Sequence, residues 1–342
     1  MKKLILIFFV LGLFAGGALV LRWLSDRRFP NFREDIELYV YPGQGPQEIL
    51  AALPDTLVLR KGSLRRVFRR ELEGREILPG HYVIEASKPS VYVPRMLRSG
   101  WQTPVSLTLA GSLRLKGKLA KKIASQLLLD SASVHKALND SALLASYGFS
   151  PQDVFSMIIP DSYELYWTAS PRELLGKLKE GYDAFWTPER LQKAELQGYT
   201  PKEVSVIASI VRSESNWEPE YPSIAGVYLN RLRIGMKLQA DPTVAFIHDY
   251  SLSRIYNRHL EVQSPYNTYL HAGLPPGPIC VPSKAAIDAV LEPDRQPYLY
   301  FCASPELNGR HLFAKTYAEH LLNARRYQRA LDLRAAMKAG GS

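Results

Sequence analysis

The sequence predicts an α+β protein: an N-terminal transmembrane helix, a small α+β module and a larger mixed α+β domain. Three observations lead there. An uncharged apolar run fills the amino-terminal end. Short strand–turn–helix units then recur as far as Leu128. Beyond them helical patterns dominate, broken by an aromatic-rich stretch and two late strands. The boundaries read as 1–30 for the anchor and its leading tip, 36–110 for the module and 111–342 for the larger domain.

Lys2 and Lys3 precede an uncharged run of 18 residues, Leu4 to Leu21. That length is at the lower end for a spanning helix. Arg22 can snorkel and Trp23 can sit at an interface, which extends the span to Leu24. A cleaved signal peptide is the competing reading. The apolar region is long for one, no A-x-A site follows, and no cysteine follows Ala15-Gly16. The run therefore reads as an uncleaved anchor. Arg22, Arg27 and Arg28 lie just after it, so counting Lys and Arg leaves its orientation open.

The 342 residues suffice for two globular domains plus an anchor, and a hydrophobic share of 46% argues against disorder. A formal net charge of +10 suggests an acidic partner: nucleic acid, anionic lipid or an anionic wall polymer. The basic residues are scattered, and no recognition helix, RNA-binding aromatic motif or zinc-finger spacing is present, so nucleic acid is not expected. Cys280 and Cys302 form no CxxC and could be a disulfide or two buried thiols. The seven histidines show no HExxH. Neither metal nor cofactor is expected.

The module's first unit runs from Tyr39-Val40-Tyr41 through a Pro/Gly turn to a helix over Gln47–Leu53. The second joins Tyr82-Val83-Ile84 to a helix over Val91–Leu97. The third joins Val105–Leu109, past Gly111, to Leu119–Leu128. From Ser131 to Glu195 the pattern is mostly helical, interrupted by the aromatic-rich Met157–Trp167. Tyr298–Phe301 and His311–Phe313 read as strands, and Thr316–Lys338 as an amphipathic helix ending at Gly340-Gly341.

The densest chemistry lies between Glu203 and Phe313. Glu203–Trp217 reads as a helix in which Ile207, Ile210 and Val211 form an apolar stripe. Glu214 lies seven after Ile207 and four after Ile210, on the stripe that should face the core. A carboxyl there is partly desolvated and its pKa raised, as protonation of a glycosidic oxygen requires. The alternative is a glutamate at the helix end, reaching solvent or pairing with Arg212 or Arg231.

A second helix, Tyr221–Ile234, places Ile224, Val227, Tyr228 and Leu232 on its apolar face and stops at Gly235. Asp241 before Pro242 reads as an N-cap with Pro at the first helical position. Ser264–Ile279 is too rich in Pro and Gly for regular structure. Tyr266, Asn267 and Tyr269 in a rigid loop suit sugar recognition, since tyrosines stack on pyranose faces and an amide binds an N-acetyl group. The alternative is an ordered loop whose tyrosines pack inward.

Taken together these stretches resemble the MltG-type (YceG-like) endolytic murein transglycosylases. The matching pieces are Pro160-Asp161-Ser162-Tyr163, ASIVRSES around Glu214, Ala225–Val244, Ser264–Ile279, Tyr298–Phe301 and His311–His320. They occur in the family's order over Phe155–His320. The amino-terminal anchor and a LysM-like module over 36–110 fit the family plan, with a weaker match residue by residue. The resemblance implies that Glu214 is the catalytic acid/base of a YceG-like catalytic domain. It implies a bacterial inner-membrane location, single-pass, with the catalytic part facing the wall. Where the family commonly has an acid two residues before that glutamate, this chain has Arg212, whose charge should favour ionised Glu214.

The implied reaction is lytic cleavage between N-acetylmuramic acid and N-acetylglucosamine within nascent strands, leaving 1,6-anhydromuramyl ends. Asp161, Tyr163, Asn230, Gln239, Asp241, Tyr266, Asn267 and Tyr269 are the expected glycan contacts. Peptidoglycan strands, the membrane and peptidoglycan synthases are the expected partners. Two other readings stay open: a hydrolytic muramidase with Asp241 or Asp161 as second carboxylate, and a non-enzymatic wall-binding anchor. Ser133-Val134-His135-Lys136 matches SxxK, but Lys315-Thr316-Tyr317 lacks the glycine of KTG, which sets acyl transfer aside.

Overall fold

A computed structural model describes residues 2–340, with the side chains of 6–337. The charges of Lys2 and Lys3, and Gly341 at the tail, lie outside the described residues. The chain divides into two compact units. The first runs to Ser106 and takes in Glu164–Ala169; the second holds Leu107–Tyr163 and the chain from Ser170 on.

The first unit opens with α1 (Lys2–Arg27). Among the described residues this is the one helix long and apolar enough to cross a membrane, and its apolar side chains are exposed. Strand β1 (Ile36–Val40) follows, then α2 (Pro46–Ala52), α3 (Lys61–Leu72), β2 (Gly80–Ile84) and α4 (Tyr92–Ser99). β1 and β2 are antiparallel, with Ile36 opposite Ile84 and Val40 opposite Gly80. Ile36, Leu38 and Val40 alternate inward, as the two-residue period of a strand requires. They pack on Ile49, Val67, Phe68, Tyr82 and Leu97.

Helix α3 is absent from the sequence reading. Its many arginines mask a stripe of Leu64, Val67, Phe68 and Leu72, spaced three, four and eight residues along, which fills the core. The end of α1 is tied to α3 by a buried polar network. Asp26 accepts from Ser63 Oγ at 2.5 Å and Arg66 Nη2 at 2.8 Å; Ser63 and Ser90 hydroxyls meet at 2.7 Å; Asn31 Nδ2 donates to Ser90 Oγ at 2.9 Å.

β3 (Val105–Thr108) pairs with β4 (Ser162–Leu165) and not with β1 or β2. The third strand–turn–helix unit thus does not extend the first unit's sheet. Between the two strands lie α5 (Lys116–Ala124), α6 (Ser131–Ala137), α7 (Ser141–Ala145) and α8 (Val154–Met157). After β4 come α9 (Pro171–Phe185), α10 (Pro188–Leu196), α11 (Pro201–Glu214), α12 (Tyr221–Arg233), α13 (Asp241–Ile247) and α14 (Lys284–Leu291). The antiparallel pair β5 (Tyr300–Ala303) and β6 (His311–Ala314) and the tail helix α15 (Tyr317–Gly340) complete the second unit.

α11 is its central helix. Thr200 caps the start by accepting from Glu203 N–H, and the Glu203 carboxylate accepts from Thr200 N–H at 2.8 Å, with Pro201 at the first helical position. Every residue from Val204 to Val211 is buried, not one face alone. Ser205 and Ser209 tolerate this because their hydroxyls bond back to Pro201 O (3.0 Å) and Val206 O (2.7 Å). α12, α13 and α14 pack around it.

The loop 264–279 passes close to another backbone at Gly277, where a Cβ would sit 2.0 Å from Gln152 O. Gly277→Ala should therefore lower stability by about 2 kcal/mol, the range of overpacking. The test is a lower urea midpoint at unchanged m-value.

Candidate active site

Glu214 ends α11, where the buried helix surfaces. Tyr228, on the inward face of α12 and 1% exposed, donates its hydroxyl to Glu214 Oε1. A buried tyrosine hydroxyl needs an acceptor, and a shielded carboxyl needs a donor; each meets the other's requirement. A second pair stands close by: Tyr269 donates its hydroxyl to Asp241 Oδ1 at 2.5 Å. Arg231, one turn after Tyr228, is 7% exposed. It spends its donors on the carbonyls of Leu299 (Nε, 2.6 Å) and Leu238 (Nη1, 2.5 Å). No ion pair joins it to Glu214 among the described residues.

The electrostatics follow from this packing. Burial raises the Glu214 pKa most. The Tyr228 hydrogen bond draws it down, the charge of Asp241 raises it and that of Arg231 lowers it, for a value of about 7. Some surface of Glu214 stays open to solvent, but protein packs densely about its carboxyl group. Tyr228 is pushed well above its ordinary value, by burial first and then by the adjoining carboxylate.

Arg212 does not play the part expected of it. Two residues along a helix turn through roughly 200°, and its guanidinium reaches Asn216 Oδ1 (3.4 Å) and the Tyr221 hydroxyl, not Glu214. Arg231 is the cation that opposes protonation of Glu214.

Glu214 also lines a cleft of about 620 Å³ with Asn216, Trp217, Asn308, Arg310 and Tyr327. Trp217 is 39% exposed, and the Arg310 guanidinium lies over its ring at 4.2 Å. An exposed indole beside an acid is a platform for a sugar face. The β6 wall is fixed by Glu220, which accepts from His311 N–H (2.8 Å) and faces His311 Nδ1 (2.9 Å).

Of the expected glycan contacts, Asp241 and Tyr269 are coupled to Glu214. Asp241 is the first residue of α13, not its cap. Ala240 occupies the cap position, and the Asp241 carboxylate takes the Tyr269 hydroxyl instead. Gln239 is exposed just before it, held at φ 47° with its N–H donating to Thr268 O at 3.1 Å. A non-glycine residue at positive φ is strained, and Ala240 N–H also donates to Thr268, at Oγ1 (3.0 Å), which ties this step to the residue before Tyr269.

Asn230, Asn267 and Tyr163 have polar side-chain atoms bonded within the fold. Asn230 donates to the carbonyls of Gln296 (2.8 Å) and Tyr298 (3.0 Å). Asn267 is fully buried and clamps Leu260 O and Val262 O, each at 2.9 Å. Tyr163 is 5% exposed, donates to Ile159 O and is crowded by Gly181. Tyr266 packs on Phe246 with the rings tilted by 48° and their centroids 4.7 Å apart. Asp161 is ion-paired with Lys284 at 2.5 Å, a bond that lowers its pKa. The cysteines are free; Cys280 is buried, with Sγ 3.4 Å from Ser209 O.

Sequence reasoning missed Tyr228, Trp217 and Arg310. Tyr228 carried a usable signal, since a hydroxyl on an apolar stripe must find a partner inside. Trp217 and Arg310 lie far apart in the chain and meet only through the fold.

The raised Glu214 value sets a pH dependence. Between about 4.5 and about 7 the folded chain keeps a proton that the unfolded chain has lost. Stability should therefore fall as pH rises through that window, by on the order of 3 kcal/mol, and level off above it. Glu214→Gln should abolish the slope in urea denaturation series. Tyr228→Phe removes the hydroxyl that favours ionised Glu214, so the upper end of the slope should move up by roughly one pH unit. An unchanged upper end would rule out Tyr228 as the tuning group.

Comparison with known proteins places these motifs. The YceG-like family profile matches residues 38–326. A 114-residue stretch is 41% identical to the endolytic murein transglycosylase of Bacillus subtilis strain 168, covering 33% of this chain and 31% of that protein. The endolytic murein transglycosylase of Streptococcus pneumoniae strain D39 is 22% identical over 340 residues, covering 90% of this chain and 61% of that protein. The chain thus spans at most about three-fifths of these relatives. A crystal structure of a yceG-like protein from Listeria monocytogenes superposes with a TM-score of 0.54 at 25% identity, covering 84% of this chain and 98% of that one. With the family profile matched over most of its length and its motifs in order, the chain belongs to the YceG-like family.

Proposed function

We propose that the chain is an endolytic peptidoglycan lytic transglycosylase with Glu214 as its single acid/base. The observation that carries this reading is a carboxyl group with a pKa of about 7 on a residue that lines a cleft with an exposed tryptophan. The names of the relatives supply the substrate class. Protonated Glu214 gives its proton to the oxygen linking N-acetylmuramic acid to N-acetylglucosamine, and that bond breaks. The muramic C6 hydroxyl then attacks the anomeric carbon and yields its proton to Glu214. The acid is restored, a 1,6-anhydro ring closes and no water enters. Intramolecular attack gains from proximity and needs no group to position water. Asp241, held by Tyr269, stabilises positive charge at the anomeric carbon, and Trp217 carries a sugar face.

In this reading α1 is a single-pass anchor in the bacterial inner membrane, with the second unit on the wall side. The strand–helix–helix–strand order of the first unit supports a LysM-like glycan-binding module over 36–110. Cutting nascent strands calls for work beside peptidoglycan synthases. Asp241 beside Glu214 favours one alternative, a hydrolytic muramidase in which Asp241 activates water.

Mass spectrometry of fragments released from purified peptidoglycan decides between them. Anhydro ends are expected; reducing ends, heavier by one water, would exclude the transglycosylase. Glu214→Gln should lower the cleavage rate by roughly 10²- to 10⁴-fold. Unaltered cleavage by that variant would remove Glu214 from the mechanism.

A further inference from the structure

The first unit carries its strongest charge where α1 leaves the apolar segment. Residues 60–75 hold seven basic side chains against two acidic ones. Arg60 Nη2 donates to the carbonyls of Phe29 (2.9 Å) and Pro30 (2.7 Å), just past α1, while Ser63 and Arg66 reach Asp26. Arg60, at the start of α3, thus meets the chain just past α1, while Ser63 and Arg66, on its first two turns, both meet Asp26, so the first half of α3 lies against the end of α1. Asp26 is two residues past Leu24, roughly 3 Å along the helix. The headgroup layer is about 5–7 Å deep on each side of a bilayer. The Asp26–Ser63–Ser90–Asn31 network is buried, so this depth is built into the fold. At the same level Trp23 is 50% exposed with Arg27 over its ring at 5.6 Å, the pairing expected at an interface.

Lys61, Arg65 and Arg69 are exposed and spaced four apart, forming one stripe. Lys61 is paired with Asp55 at 2.9 Å. Arg65 and Arg69 have no acidic partner among the described residues. The stripe rims a hollow of about 940 Å³ floored by Leu50, Leu64 and Phe68. Asp55 and Glu73 also line the hollow, so Arg65 and Arg69 supply its unpaired positive charge; two free guanidinium groups beside an apolar floor are complementary to an anionic amphiphile.

We propose that this stripe binds the phosphodiester headgroups of acidic phospholipids in the leaflet from which α1 emerges. The binding holds the first unit against the bilayer. It rests on α1 spanning the membrane and is independent of which side the unit faces. Juxtamembrane arginines gain from an anionic surface, and each contributes separately.

The test uses the full chain in nanodiscs of equimolar phosphatidylcholine and phosphatidylglycerol, with native mass spectrometry of the lipids it retains. The wild type should retain phosphatidylglycerol preferentially. Arg65→Gln with Arg69→Gln should cut that preference by on the order of tenfold or more, while Arg65→Lys with Arg69→Lys should keep most of it. Incorporation with equal retention by wild type and the glutamine variant overturns the proposal and leaves the anchor intact. Failure to incorporate overturns the anchor and the proposal together. A glutamine variant that keeps its phosphatidylglycerol but loses binding to purified peptidoglycan assigns the stripe to the wall polymer and overturns the lipid site.

Discussion

Enclosing a carboxyl group at the end of a buried helix removes water that the surroundings must replace. For Glu214 the replacement is one hydroxyl, that of Tyr228. A single neutral donor supports the charged form without enforcing it, which is why the acid ends near 7 and not near its solution value. An arginine paired directly to the carboxylate would have stabilised the ion and removed the proton that the group now keeps near neutral pH. The fold keeps its nearest buried cation away from that role by giving Arg231 two carbonyls to hold.

That arrangement depends on the packing of the second unit. α11 is enclosed from Val204 to Val211, and Glu214 sits at its C-terminal end, where the helix returns toward the surface. α12 brings Tyr228 and Arg231 along one face. Gln239 and Ala240, both bonded to Thr268, lead into Asp241, which meets Tyr269. Asn230, Asn267 and Tyr163 serve the same end as fasteners of the surrounding segments. Residues of a shared motif are thus divided between chemistry and the frame that holds it.

The pH slope predicted for stability and the acid role proposed for Glu214 have one origin. Keeping Glu214 protonated near neutral pH means that the ionised form is disfavoured in the folded chain, so stability is given up as the group ionises. Stability traded for a strained or desolvated functional group is common at enzyme sites.

Much of the architecture was legible beforehand because it follows from local rules. The apolar run before Arg22, the strands at Tyr39 and Tyr82, the helix bearing Glu214 and the stop at Gly235 are each set by periodicity or by a residue's backbone preference. α3 escaped because its four arginines are interleaved with the four apolar residues, Leu64, Val67, Phe68 and Leu72, that mark its inner face. At the site, burial of Glu214 was readable from its spacing to Ile207 and Ile210. Its partners were not, since a sequence shows that Tyr228 and Asn267 carry polar atoms but not what those atoms meet. Asn267 finds carbonyls within its own loop and is spent on them, while Tyr228 finds a carboxyl group fourteen residues back. The sequence by itself determined which segments are helical, which faces are apolar and that Glu214 lies on one of them. Only the tertiary structure decided which polar groups are left free for chemistry, because hydrogen bonds and charge coupling depend on distances that the chain closes only on folding.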